Sequence, residues 1–305
     1  MLIYFSSLRS YVDDGTDGWF SAKDRKLALL GSYANDQRYV NYVYHNKIES
    51  CGWFMLDSGA VSVRSGRKDV TLEGYIDFIR NIPKDATVPQ IIVGFDVIGD
   101  PVASMENYKR MKYDYGITDF LPVFHFGSDL KYLDALLEEG FDYIGLGGTA
   151  LTFVHKKLGL KNFMDWWDSV FFITDNQGQR LRYPEIRFHG FAVTGSKALN
   201  MFPWESVDST AWIKNASVGK LTTPFGDIRI SKVRSGECKM QFKRRDPITQ
   251  DKIVAWIESF GVTLEEVSDD RLLRNALNIE YYLWLQDNHK WEKKKVIKPS
   301  FLSFL

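Results

Sequence analysis

"IIVGFDVIGDPVASMENYKRM" (residues 91–111) contains one complete unit of a fold. Ile91 to Phe95 form an apolar run with no alternating polar positions, as expected of a strand buried on both faces of a parallel sheet. The run ends abruptly in Asp96. Four residues later Asp100 offers an N-cap and Pro101 occupies the first helical turn, so a helix follows. A buried strand, a polar tip and a capped helix make up the unit.

Much of the chain repeats it. Apolar runs recur as "LIYF" (2–5), "WFML" (53–56), "FLPVFHF" (120–126), "YIGL" (143–146), "RFHGFAV" (187–193) and "WESVDS" (204–209). Helical patterns lie between many of them. Leu72, Tyr75, Ile76 and Ile79 follow the i, i+3, i+4, i+7 spacing of an amphipathic helix. "GSDLKYLDALLEEG" (127–140) has Ser128 as its cap and Gly140 as its stop. Strands alternating with helices predict an α/β fold with a parallel sheet, either doubly wound or a (β/α)8 barrel. Polar residues favour the barrel. Asp57, Asp96, His125, Gly147-Gly148, His189 and Asp208 each stand at or just after the C-terminal end of a predicted strand, and in a barrel those ends share one mouth.

The pattern changes after residue 219. "GKLTTPFGDIRISKVRSGECKMQFKRRDPITQDK" (219–252) reads as a basic β-ribbon, with helices expected near 249–260 and 269–287. Ile253, Trp256, Ile257 and Phe260 supply the apolar face of the first. The expected organisation is therefore a TIM barrel catalytic domain over 1–220. A basic ribbon and helical extension, packed on the barrel, cover 221–305.

Composition narrows the class. Of 305 residues, 45% are hydrophobic and 26% charged, as in a globular protein with a sizeable core. Lys plus Arg equals Asp plus Glu at 39 each, so any nucleic-acid site must come from local clustering. Aromatics reach 15%, with nine Trp, which fill cores and also stack on bases. Cys51 and Cys238 are the two cysteines. Without a Cys-x-x-Cys pair, neither a cysteine zinc site nor a disulfide framework is expected. No apolar stretch approaches about 18 residues and no signal peptide is evident, so a cytoplasmic protein is expected.

Taken singly, the polar tips are ambiguous. Asp57 in "LDSGA" is either a desolvated general acid/base or a cap for the next segment. Asp208 in "VDSTAW" is either a nucleophile with small neighbours or an N-cap. Asp96 has two acceptor oxygens, suited to the two donors on one edge of a guanine-like base. His125 and His189 offer a hydrogen bond or a stacking face, or are satisfied core residues. Gly147-Gly148 lets a ring approach the backbone, or is simply a tight turn. A metal-dependent hydrolase would need ligand spacings such as His-x-His or Glu-x-x-His, and neither occurs.

In order along the chain, "LDSGA", "FDVIGDP", "PVFHFG", "YIGLGG", "HGFAVTG" and "PWESVDSTAW" resemble the motifs of the queuine tRNA-ribosyltransferase superfamily. The similarity runs from about residue 50 to 220. It is greatest to the compact bacteriophage-type DNA-guanine transglycosylases, which insert 7-deazaguanines such as 7-cyano-7-deazaguanine into DNA. The resemblance implies a (β/α)8 barrel and exchange of guanine by double displacement, a pentosyltransferase reaction without a cofactor. It makes Asp208 the nucleophile at C1′ and Asp57 the general acid/base, with Ser58 beside it. Asp96 would read the purine's donor edge. His125 stands where many of the tRNA enzymes carry Gln, and His189 where an apolar stacking residue often lies. Gly147 and Gly148 would lie against the base.

The tRNA enzymes also carry three clustered Cys and a His that bind zinc. Here that region has Cys238, and Leu277 stands where the His would fall, so no metal is expected. DNA is the expected partner, with tRNA as the alternative, and a free 7-deazaguanine as co-substrate; host cytoplasm is implied for a phage-encoded enzyme. Arg229, Lys232, Arg234, Lys243, Arg244 and Arg245 would contact phosphates, as would Arg64, Arg67 and Lys68 after the Asp57 strand. Trp204 and Trp212 are candidates for stacking on displaced bases. A non-catalytic DNA-binding barrel is the rival of a different class, and two strand-end carboxylates speak against it.

Overall fold

The computed structural model describes residues 1–148, 160–176, 178–193, 195–231, 242–289 and 291. Eight parallel strands form its main sheet: β1 (Leu2–Phe5), β2 (Leu27–Ser32), β3 (Cys51–Asp57), β4 (Gln90–Ile92), β5 (Val123–His125), β6 (Tyr143–Gly147), β9 (Arg187–Gly190) and β10 (Ser206–Ser209). Two antiparallel ribbons complete the strands, β7 (Phe172–Asp175) with β8 (Gly178–Leu181), and β11 (Lys220–Thr223) with β12 (Gly226–Arg229). The main sheet runs in the order β4-β3-β2-β1-β10-β9-β6-β5.

The sheet curls until its edges touch at one residue pair. Val93 and Leu121 form a parallel bridge just beyond β4 and just before β5. Leu121 N donates to Ile92 O at 2.7 Å, and Gly94 N donates to Leu121 O at 2.8 Å. Buried tyrosines from the flanking helices bond the backbone beside this seam. Tyr108 Oη accepts from Val123 N at 2.9 Å, and Tyr75 Oη donates to Val93 O at 2.8 Å.

Alternation along the strands separates two cores. Tyr4, Ala28, Leu30, Met55, Val93, Leu121 and Val123 pack together on one face. Their neighbours Ile3, Phe5, Leu29, Phe54 and Leu56 pack on the other, in one cluster with helix residues such as Val40, Tyr75 and Leu133. Both faces are apolar, which is why the runs show so little alternation in sequence.

Local signals held in most places. Asp100 caps the helix Pro101–Lys109 by accepting from Ala103 N. The cap of Leu130–Glu138 is Asp129 rather than Ser128, accepting from Lys131 N. The sequence reading found seven strands, and β2, "LALLGS", is the eighth. All six of its residues are buried, but Leu and Ala favour helices, so propensity pointed away from a strand.

After β10 the chain forms the helix Ala211–Ser217, the β11–β12 ribbon and the helices Pro247–Glu258, Leu264–Asp269 and Arg271–Asn288. Leu221, Ile228, Ile253, Ile257, Val267 and Leu277 make a third apolar cluster here. The last helix fastens this region to the sheet. Glu280 pairs with Arg25, and Gln286 Oε1 accepts from Ile3 N at 3.0 Å. Among the described residues, no helix is long and apolar enough to cross a membrane.

Asn278 is fully buried at the centre of this junction. Its Oδ1 accepts from Thr222 N at 2.8 Å, and its Nδ2 donates to Trp212 O at 3.0 Å and Lys220 O at 3.2 Å. Truncation would strand those backbone groups, each at about 1–3 kcal/mol. Asn278→Ala is therefore expected to lower unfolding free energy by about 2–4 kcal/mol in urea titrations followed by Trp fluorescence. A loss below about 0.5 kcal/mol would show that the junction does not depend on it.

Candidate active site

Asp57 is the last residue of β3, and the chain turns sharply behind it. Gly59 has φ of +90°, and a Cβ placed there would lie 2.4 Å from the Ala34 Cβ. Only glycine meets both conditions. The turn brings Gly59 N to 3.1 Å from Asp57 Oδ2, so the carboxylate does bond its own turn. Ser58 is completely buried and donates from Oγ to Asp96 Oδ1 at 3.0 Å.

Asp96 follows β4 and is 5% exposed. Its second oxygen meets His125 Nε2 at 2.8 Å, so Ser58 and His125 hold the carboxylate from two neighbouring strand ends. Gly147 and Gly148 lie beyond, at the tip of β6. A Cβ on Gly147 would fall 2.7 Å from Val123 Cγ1, and Gly148 has φ of +81°.

Asp57, Asp96, His125, Gly147, Gly148 and Phe191 line one cavity with an empty volume of about 450 Å3, open to solvent on one side. Ala60, Val61, Ile98 and Val123 make the rest of its wall aliphatic. Burial pushes the Asp57 carboxyl up to about 7, and the nearby Asp96 and Asp208 charges add to the rise; the Gly59 amide opposes it. A carboxyl poised there exchanges a proton readily near neutral pH.

Asp208, on β10, is 7% exposed and pairs in register with Tyr4 of β1. Ser6 Oγ donates to its Oδ2 at 2.6 Å, and Ala192 N donates to its Oδ1 at 2.7 Å. These bonds decide against an N-cap role. The first amide of the following helix, Ala211 N, bonds Ser209 Oγ instead.

His189 is completely buried and is not among the cavity-lining residues. Phe191, two positions on, lines the wall, with its ring centroid 4.5 Å from that of His189. Trp204 and Trp212 are core residues, 4% and 0% exposed, with indole N–H groups bonded to Ala198 O and Ser6 O. Neither stacks at the mouth as the sequence suggested.

The basic residues divide into two groups. Arg64 Nη1 donates to Ile98 O at 2.7 Å, which puts the guanidinium at the cavity rim. Arg67 forks onto Asp69 and also bonds Ala34 O, while Lys68 is exposed. Arg229, Lys243, Arg244 and Arg245 are exposed on the C-terminal region, and none lines the cavity. Arg245 bonds Asp227 O. Lys232 and Arg234 lie outside the described residues.

Sequence reasoning missed Ser6, Phe191 and the Ala192 amide. Ser6 follows the apolar run of β1, so the strand-end rule applied to β1 would have found it. Ala192 has φ of +57°, a turn that no glycine or asparagine announces. No family model matches the chain, and no curated protein matches it.

The Asp57 shift sets a pH test. The folded value of about 7 lies above the ordinary aspartate range, so the folded state binds more protons between about pH 4 and 7. Stability from this group is present below pH 4 and is lost as pH rises through 7. Asp57→Asn removes the buried charge. Relative to the parent it should gain roughly 1–4 kcal/mol on going from pH 4.5 to pH 8. Equal urea midpoints for the two proteins at both pH values would refute the buried-charge account.

Proposed function

We propose that this chain is a (β/α)8 barrel enzyme that exchanges guanine in DNA for a 7-deazaguanine base. The reading rests on two strand-end carboxylates, Asp57 and Asp96, that line one cavity, and on Asp208, which is not in the cavity wall but whose charge helps raise the Asp57 carboxyl, together with the motif resemblance. The single-residue bridge between the β4 and β5 edges supports the barrel, because it joins the strands in cyclic order.

In the reaction, an Asp208 oxygen attacks C1′ of the nucleotide while the bond from C1′ to the base nitrogen breaks. Asp57, protonated, delivers its proton to the departing guanine nitrogen. The incoming base returns a proton to the Asp57 carboxylate, and its nitrogen displaces Asp208 from C1′. Two inversions give net retention, and atoms and charge balance without a cofactor. A carboxylate beside an oxocarbenium-like transition state stabilises it electrostatically. Asp96, oriented by Ser58 and His125, accepts from the purine's donor edge, and Phe191 with the glycine pair receives the flat ring. Arg64, bonded to the wall residue Ile98, supplies a phosphate contact near the rim. C1′ is inaccessible inside an intact duplex, so the target nucleotide must be flipped out or single-stranded.

Labelled guanine offered with DNA and with tRNA tests the substrate. Incorporation into DNA is expected. Incorporation into tRNA alone would move the same chemistry to tRNA, and none into either would overturn base exchange. Asp208→Asn is expected to lower exchange by at least about 1,000-fold and to abolish covalent trapping. Undiminished trapping would remove Asp208 from the nucleophile role.

A further inference from the structure

His189 leaves a buried nitrogen without a partner. Its ring is completely buried, Nδ1 lies 2.6 Å from Ser206 Oγ, and Nε2 makes no hydrogen bond among the described residues. The nearest carboxylate atom to Nε2 is Asp208 Oδ1, at 3.7 Å. Ser206 Oγ in turn lies 2.5 Å from Tyr143 Oη. Tyr143 and Ser206 begin β6 and β10, and Asp208 stands two residues beyond Ser206. The four side chains thus run along the strands, from a second cavity lined by Tyr143, Asp142 and Arg187 to the site carboxylate.

Proton positions follow from what each group can donate. Burial pushes the Tyr143 phenol up to about 12, so its O–H is intact at neutral pH and has Ser206 Oγ in reach. With the phenol as donor, the Ser206 hydroxyl is free to donate onward to Nδ1. An acceptor Nδ1 leaves the ring proton on Nε2. The opposite tautomer would aim a buried lone pair at a carboxylate oxygen, a repulsion that low dielectric strengthens. With the proton on Nε2, closing the gap by about 0.7 Å completes a hydrogen bond to Asp208.

We propose that His189 is a positioning residue that presents an Nε2 proton to Asp208 Oδ1, in the tautomer imposed by Ser206 and, behind it, Tyr143. The inference rests on Asp208 being the nucleophile. It replaces base stacking, which passes to Phe191, with control of the attacking carboxylate's orientation.

Two measurements on the full chain test it. In 15N NMR of the histidine ring at pH 7.5, assigned by its loss in His189→Gln, Nε2 should carry the proton and Nδ1 should be an acceptor. An Nδ1–H ring or a doubly protonated ring overturns the proposal. In labelled-guanine exchange, His189→Gln retains an amide able to reach the Nε2 position, whereas the Asn side chain is too short. The Gln variant should keep kcat within about 5-fold, and His189→Asn should lower kcat about 10- to 100-fold at unchanged KM. Equal losses in the two variants would mean a merely structural histidine and overturn the proposal. Should His189→Asn fail to fold, Ser206→Ala replaces it. Mixed tautomers with about a 10-fold lower kcat are expected, and an unchanged ring with unchanged kcat overturns the relay. If the parent exchanges no base at all, the function reading falls separately; an Nε2–H ring then still upholds the relay, and an Nδ1–H ring still overturns it.

Discussion

Buried carboxylates gathered at neighbouring strand ends repel one another, and burial penalises each charge. That constraint governs how the site is built. Asp96 is given two side-chain donors, Ser58 and His125. Asp208 is given Ser6 and the Ala192 amide. Asp57 has the amide of its own turn and bears the penalty, with its carboxyl raised to about 7. Chemically similar side chains thereby sit in different environments, one with its carboxyl raised by burial and two each held by two donors.

The sheet supplies that environment through register. Ser32 pairs with Asp57, so β2 and β3 end together, three residues beyond the Phe5–Leu29 pair, while Phe5 pairs with Ser209, so β1 and β10 share their own level. Ser6 leaves β1 at that level and reaches across to Asp208. A slip of one residue in any of these strands would turn its terminal side chain to the opposite face. The tightly packed aromatic layer between sheet and helices, with Phe171 against Phe202 and Trp204, opposes such slips.

Much of this was legible because the signals were local. Apolar runs marked seven strands, and Asp100-Pro101 marked a helix start. Strand-end polarity singled out Asp57, Asp96, His125 and Asp208. What escaped depended on depth or context. His189 and Phe191 are two residues apart, so alternation alone puts them on one face. Only the position of the strand end separates the buried ring from the cavity wall. β2 was hidden by its Leu and Ala content. The β7–β8 ribbon, only half-buried, carried no apolar alternation to reveal it. Charge clusters likewise gave no distances, and the exposed Arg229 and Lys243 to Arg245 proved to be absent from the cavity wall.

The bridge between Val93 and Leu121 gives the Asp96–His125 pair a second meaning. Asp96 follows β4 and His125 ends β5, so their hydrogen bond spans the seam where one backbone pair joins the sheet's edges. The pair is therefore also a clasp. A ligand that draws on Asp96 loads the weakest line of the sheet, and one that completes the Asp96 bonding fastens it. Occupancy of the cavity and cohesion of the sheet's two edges become linked quantities, so mechanical opening of the seam and release of a bound molecule would share one resistance.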